Sequence, residues 1–252
     1  MTELQDVYES ADTNYRESLR LLGDSISITQ DFVDLYQRAS DIAAGSPLAL
    51  KDEHVMGMKF LMASRCYLVT GIADCLRCHL ADTSGQTRMA IEQAAFAARV
   101  KRHPHLAKVW LDAGHDETAY DEYREKFRKL FPDDHALLRV LGERYDMCAK
   151  QTHPSIYSFA GRSKVEQSDR HYTLKFEYFQ AERDGSEPVR TFFFILNTHM
   201  LIVNVFREVL ADAIVDDAKA LELRANAVEA KYVAHLRGWA DRIPALRPSL
   251  PA

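Results

Sequence analysis

Along most of this chain the apolar residues recur at spacings of three and four, the period that buries one face of an α-helix. Gly, Pro and small polar residues fall where such helices should end. A first helix is predicted from Glu3 to Leu22, stopped by Gly23, and Asp24 and Ser25 are placed to cap a second that runs to Ala44 before Gly45 and Pro47. The third, from Ala49 to Leu80, is apolar on most faces, so neighbours should surround it and it is the candidate central element. Ser84-Gly85 is read as the restart into a fourth helix, which ends at Arg102 ahead of His103-Pro104. Shorter helices are expected at His105 to Asp112, Asp116 to Leu130 and Asp133 to Lys150. Asp116 and Asp133 suit their N-caps, because a carboxylate can accept from free first-turn N–H groups.

The period changes after Gly161. Tyr172, Leu174, Phe176 and Tyr178 alternate with Thr173, Lys175 and Glu177, the repeat of a strand with one buried face, and its expected partner is Ser163 to Gln167 across a turn at Ser168-Asp169. A lone hairpin is marginal in water, so it should lie on the helices. Ser186 and Pro188 then open a long helix reaching Val215, and a mixed-charge helix follows from Asp217 to Arg242. The expected fold is mainly α: a single-domain multi-helix bundle over residues 1–242 with a small β-hairpin near residues 163–180. Pro244, Pro248 and Pro251 leave an irregular tail at residues 243–252.

With 252 residues, 47% of them hydrophobic, the chain can bury a substantial core without staples. A net charge of −5 gives no bulk electrostatic reason to bind nucleic acid or anionic lipid, so nucleic acid is only weakly supported as a partner. The polar, acidic start lacks the pattern of a secretory signal; the cytoplasm is the expected location, with Cys66, Cys75, Cys78 and Cys148 reduced. Val55 to Leu76 and Phe192 to Phe206 approach membrane-span hydrophobicity. The first contains Lys59, Arg65 and Asp74, and the second is short and carries Asn197, His199 and Asn204, so both are expected as buried bundle helices and no membrane partner is implied.

Several residue groups have the types that carry chemistry. Cys75-Leu76-Arg77-Cys78-His79 matches a haem-attachment pattern, but it is expected inside a helix, without an export signal or further ligands, so packed thiols are the better account. His103, His105 and His115-Asp116 form the densest histidine group, among the cations Arg99, Lys101, Arg102 and Lys108 that disfavour a metal. No metal and no cofactor is therefore expected. Arg88 and Glu92 lie one helical turn apart and can pair, and the alanines that follow admit a close helix neighbour. Thr152-His153-Pro154-Ser155 falls at a helix junction, where Thr152 or His153 can cap the next helix and a fixed imidazole can exchange protons near neutrality.

Through Arg88, Glu92, Thr152, His153, Pro154 and Ser155 the chain resembles an uncharacterised bacterial helical family that pairs an Arg-x-x-x-Glu helix with a His-Pro-Ser junction. The resemblance spans Arg88 to Arg162. It implies a bundle with a polar cluster made from those side chains, distantly similar to the helical nucleotide-binding (HEPN-like) ribonucleases of bacterial defence systems. Such enzymes use an arginine followed by four to six residues and a histidine; Arg99 to His105 and Arg128 to His135 fit, at a frequency chance alone supplies. Two function classes follow. In one, Arg88, Glu92, His153 and Ser155 bind a small anionic ligand or a protein partner. In the other, His153 and Arg88 are catalytic residues of a metal-independent RNA- or nucleotide-processing enzyme acting in defence or stress. Long apolar helices are also compatible with a homodimer.

Overall fold

A computed structural model describes residues 3–46, 50–113, 130–132, 134–152, 163–167, 172–176, 186–214 and 217–249. The helices are α1 (Glu3–Leu22), α2 (Ser27–Ala44), α3 (Asp52–Leu76), α4 (Leu80–Arg102), α5 (His105–Ala113), α6 (Ala136–Thr152), α7 (Ser186–Val209) and α8 (Ala218–Arg242). The fold is mainly helical. Strands β1 (Ser163–Gln167) and β2 (Tyr172–Phe176) pair antiparallel, with Val165 opposite Leu174. The turn at Ser168-Asp169, the helix expected from Asp116, and Asp133 lie outside the described residues.

Helices α3 and α4 fold back on one another, as three contacts in reverse order show. Thr83 lies near Gly71, the Ser64 hydroxyl reaches the Ala90 carbonyl, and the Phe60 and Phe96 rings sit 6.1 Å apart. A Cβ on Gly71 would lie 3.3 Å from Gln86 Cβ, so the missing side chain permits the approach. The reversal takes place within three residues, and not at Ser84-Gly85, where the sequence suggests it. Cys78 adopts the left-handed conformation (φ 61°), its N–H donates to the Cys75 carbonyl at 2.9 Å, and the His79 N–H donates to that of Asp74 at 2.9 Å. These bonds satisfy the last carbonyls of α3 in the Schellman pattern. The Cys-x-x-Cys-His segment therefore forms the turn itself. Ser84 and Gly85 continue α4 because the Ser84 hydroxyl donates to the Leu80 carbonyl at 2.9 Å, inside the helix.

The helix most enclosed by neighbours is α7. Phe192, Phe193, Ile195, Leu196, Ile202 and Val205 are buried, and only one stripe, through Arg190, Phe194, Asn197, Leu201 and Asn204, stays half-buried, whereas α3 keeps an exposed side at Cys66 and Val69. By length and apolarity α7 is the one described helix able to cross a membrane, yet 67% of its apolar window is buried inside the bundle. It packs against α2, α3, α4 and α6. The tail also departs from expectation: Pro244–Ser249 winds into a 3-10 helix, and Leu246 is buried in the core.

Polar residues inside α7 find partners on other helices. The Tyr36 hydroxyl of α2 and His199 Nδ1 share a hydrogen bond of 2.7 Å, and His199 Nε2 has no partner among the described residues. From α6, Arg144 donates to Thr198 Oγ1 at 2.9 Å and to Asn197 Oδ1. Full burial holds His199 neutral, with its pKa lowered to about 3.

Two measurements check these points. Cys78→Ala keeps the left-handed backbone and Cys78→Gly relieves it; both lose the thiol, so the glycine variant should be more stable than the alanine variant by about 1 kcal/mol in urea unfolding. The second concerns pH. Because folding depresses the His199 pKa, the unfolded chain binds the extra proton, and stability is complete above the ordinary histidine pKa and falls as the pH drops toward 3. Between pH 6.5 and 5 the protein should lose about 1.6 kcal/mol more than His199→Gln does.

Candidate functional site

The Arg88-x-x-x-Glu92 pair on α4 meets a tyrosine on α6. Arg88 Nε lies 3.8 Å from Glu92 Oε1, a charge contact too long for a hydrogen bond, and both side chains are about three-quarters buried (24% and 21% exposed). Glu92 lies close enough to Tyr145 for its charge to act on the phenol, and the Arg88 guanidinium lies 5.9 Å from the Tyr145 ring centroid. Burial raises the Tyr145 pKa first, the Glu92 carboxylate adds to the rise, and Arg88 partly opposes it. Tyr145 thus stays a neutral phenol beside Glu92. It was not among the residues singled out from the sequence, although Leu138, Leu141, Tyr145, Cys148 and Thr152 form a stripe at helical spacing that points to the contact face of α6.

His153 and Ser155 lie outside the described residues, so their meeting with Arg88 and Glu92 does too. The described chain ends its approach at Thr152, whose methyl group would sit 3.8 Å from a Cβ built on Gly85, one turn from Arg88. The Thr152 hydroxyl donates backward, to the Cys148 and Ala149 carbonyls at 3.2 Å, within the last turn of α6, and the helix it was expected to cap lies outside the described residues.

Beside this cluster is an open groove of about 510 Å³, lined by Tyr67 and Asp74 of α3, Asp82, Gln86 and Arg88 of α4, and Thr152. The helix periodicity explains the lining: Tyr67 and Asp74 are two turns apart on one face of α3, and Asp82, Gln86 and Met89 follow one face of α4. Its charge is mixed. Burial raises the Asp74 pKa, the nearby Asp82 charge raises it further, and His79 and Arg77 pull it down. His79 faces Asp82 at 3.9 Å, on the turn that joins the two helices.

The other candidates are occupied structurally. All four cysteines are free thiols, and burial lifts Cys75 well above the ordinary thiol range and Cys78 to about 11, so neither is a poised nucleophile. Among the described residues no group of three or more His, Cys, Asp or Glu can hold a metal ion. His103 and His105 are exposed, with rings 6.2 Å apart, and His115 lies outside the described residues. The neighbouring cations are engaged by carboxylates: Lys101 with Asp212 at 2.5 Å and Arg102 with Asp134 at 3.8 Å. His135 accepts from the Leu138 N–H at 3.4 Å as the N-cap of α6 and pairs with Glu208 at 3.0 Å; its arginine counterpart in the spacing match, Arg128, is outside the described residues.

Comparison with protein-family models, curated proteins and solved structures returns no match to this chain.

The Arg88, Glu92 and Tyr145 arrangement makes a measurable claim. A double-mutant cycle of Arg88→Met and Glu92→Leu should show a favourable coupling of roughly 0.5–1 kcal/mol in urea unfolding, falling in a Tyr145→Ala background, where the ring that covers the pair is lost.

Proposed function

We propose that the protein is a ligand-binding helical bundle whose site is the groove between α3, α4 and the end of α6. The observation that carries this reading is the composition of the groove: one guanidinium, Arg88, faces two carboxylates, Asp74 and Asp82, across about 510 Å³ of open space. A purely anionic ligand would gain from Arg88 and lose from both aspartates. A small zwitterion gains from all three, with its anionic group on Arg88 and its amine between Asp74 and Asp82. An amine there also relieves the repulsion that raises the Asp74 pKa. Tyr67 and Met89 supply apolar contact, and Gln86, already bonded to Thr70 at 3.1 Å, sits between the charged ends. The Glu92 and Tyr145 pair behind Arg88 fixes its orientation, which lowers the ordering cost of binding.

A thermal-shift screen of the full chain against amino acids, polyamines, dicarboxylates and mononucleotides tests the reading. A zwitterion at about 100 times its Kd should stabilise the fold by about 2.7 kcal/mol, a rise of roughly 5–10 °C in Tm. Arg88→Gln and Asp74→Asn should each remove most of that rise. Stabilisation that survives in both variants, or that dicarboxylates produce as strongly as zwitterions, would sink the proposal.

A further inference from the structure

A pocket of about 380 Å³ opens beside the last turns of α8, lined by Ala234, His235, Gly238, Trp239 and Arg242. The helical period puts all five on one side of α8: His235, Trp239 and Arg242 rise as long side chains one turn apart, and Ala234 and Gly238 leave a low floor beside them. A Cβ built on Gly238 meets no atom within 4 Å, so that floor is open. No carboxylate is among the described residues that line the pocket.

Its polar walls are fixed from behind. Ser25, buried in the 3-10 turn Gly23–Ile26, accepts from the Trp239 indole N–H at 3.0 Å and shares a hydrogen bond of 3.0 Å with His235 Nδ1. An indole nitrogen can only donate, so it takes a Ser25 lone pair, and the one acceptor in reach of the Ser25 hydroxyl proton among the described residues is His235 Nδ1. The neutral imidazole then carries its own proton on Nε2, the ring nitrogen turned away from Ser25; a protonated ring has an N–H there too. Arg242 is held differently. Its guanidinium carbon lies 4.2 Å from the Trp239 ring centroid, and no carboxylate among the described residues lies within ion-pair distance of it. With one face on the indole, the guanidinium offers its N–H edge to the pocket that it lines.

We infer that this pocket binds a small phosphate monoester, with two phosphate oxygens on the Arg242 fork, a third on His235 Nε2 and the organic group on the floor of Ala234 and Gly238. A carboxylate has two oxygens in one plane; the fork takes both, and the imidazole N–H is left unmet. A phosphoryl group has a third oxygen outside that plane, which suits a donor arriving from a separate side chain. Inorganic phosphate makes the same polar contacts but leaves the floor uncovered, in a pocket large enough for a small organic molecule.

The test titrates the full chain with phenyl phosphate near neutral pH at constant ionic strength, read by calorimetry and by phosphorus NMR of the ligand, with phenylacetate and inorganic phosphate as comparisons. Phenyl phosphate should bind more tightly than either. Arg242→Gln should weaken it by about tenfold or more, and His235→Gln by a smaller factor. Gly238→Leu separates binding from folding: at an exposed helical position with open space around it, leucine should leave the Tm of the free protein unchanged or raised, because glycine is the poorer helix former, while its side chain covers the floor and abolishes phenyl phosphate binding. Arg88→Gln should leave that binding intact, which separates this pocket from the groove. Phenylacetate or inorganic phosphate binding as tightly as phenyl phosphate, phenyl phosphate binding unaltered in either Arg242→Gln or Gly238→Leu, or no binding up to concentrations on the order of 10 mM would each overturn the inference.

Discussion

Helix α7 buries most of its surface and still carries Asn197, Thr198 and His199 at its centre, and the bundle depends on partners being found for them. A buried polar group left without a hydrogen bond costs about 1–3 kcal/mol, so slipping a neighbouring helix by one turn would be penalised well beyond the apolar contacts exchanged. Tyr36 fixes α2 against His199, and Arg144 fixes α6 against Asn197 and Thr198. The register of α6 then decides much else. With Arg144 in place, Tyr145 falls beside Arg88 and Glu92, Cys148 and Gln151 fall on a cleft against α4 and α7, and Thr152 reaches the groove.

Periodicity made most of the helices legible, because helix-forming segments of this length bury a stripe that repeats along the chain. The C-terminal ends of α1, α2, α4 and α8 agree with the expected positions closely. The α3–α4 turn was not legible. Ser84-Gly85 carries the residue types of a break, yet the serine hydroxyl can bond within its own helix, and the turn is made at Cys78, a residue that seldom adopts positive φ. Tertiary packing decides between these alternatives: ending α3 at Leu76 brings Gly71 against Gln86, the close approach on which the two-helix core rests.

Of the polar cluster, the Arg88 and Glu92 pairing followed from helix geometry, because residues four apart share a face whatever surrounds them. Their partner Tyr145 did not, since nothing local relates residue 145 to residue 92. The link is made through Arg144, whose significance depends on two residues of α7 more than fifty positions away. Histidines behaved in the same way. His135 and His199 have defined structural roles, as a helix cap and as the core partner of Tyr36, while the His103 and His105 group is exposed at the break between α4 and α5.

The two cavities beside α6 share a helix seam but differ in electrostatics, and this argues against treating either as incidental space left by packing. Thr152 borders the groove, whose lining includes Asp74 and Asp82, while Gln151, one residue earlier, borders a cleft with no carboxylate among the described residues that line it. Successive residues near the end of a helix point about 100° apart, so one helix end can serve both. Packing alone would favour apolar or paired side chains along both margins. Instead the groove brings two aspartates close enough for one to raise the pKa of the other, and behind the cleft Arg144 is held on neutral acceptors alone among the described residues. The repulsion between the aspartates costs stability in the free protein, a cost that a cation between them would offset.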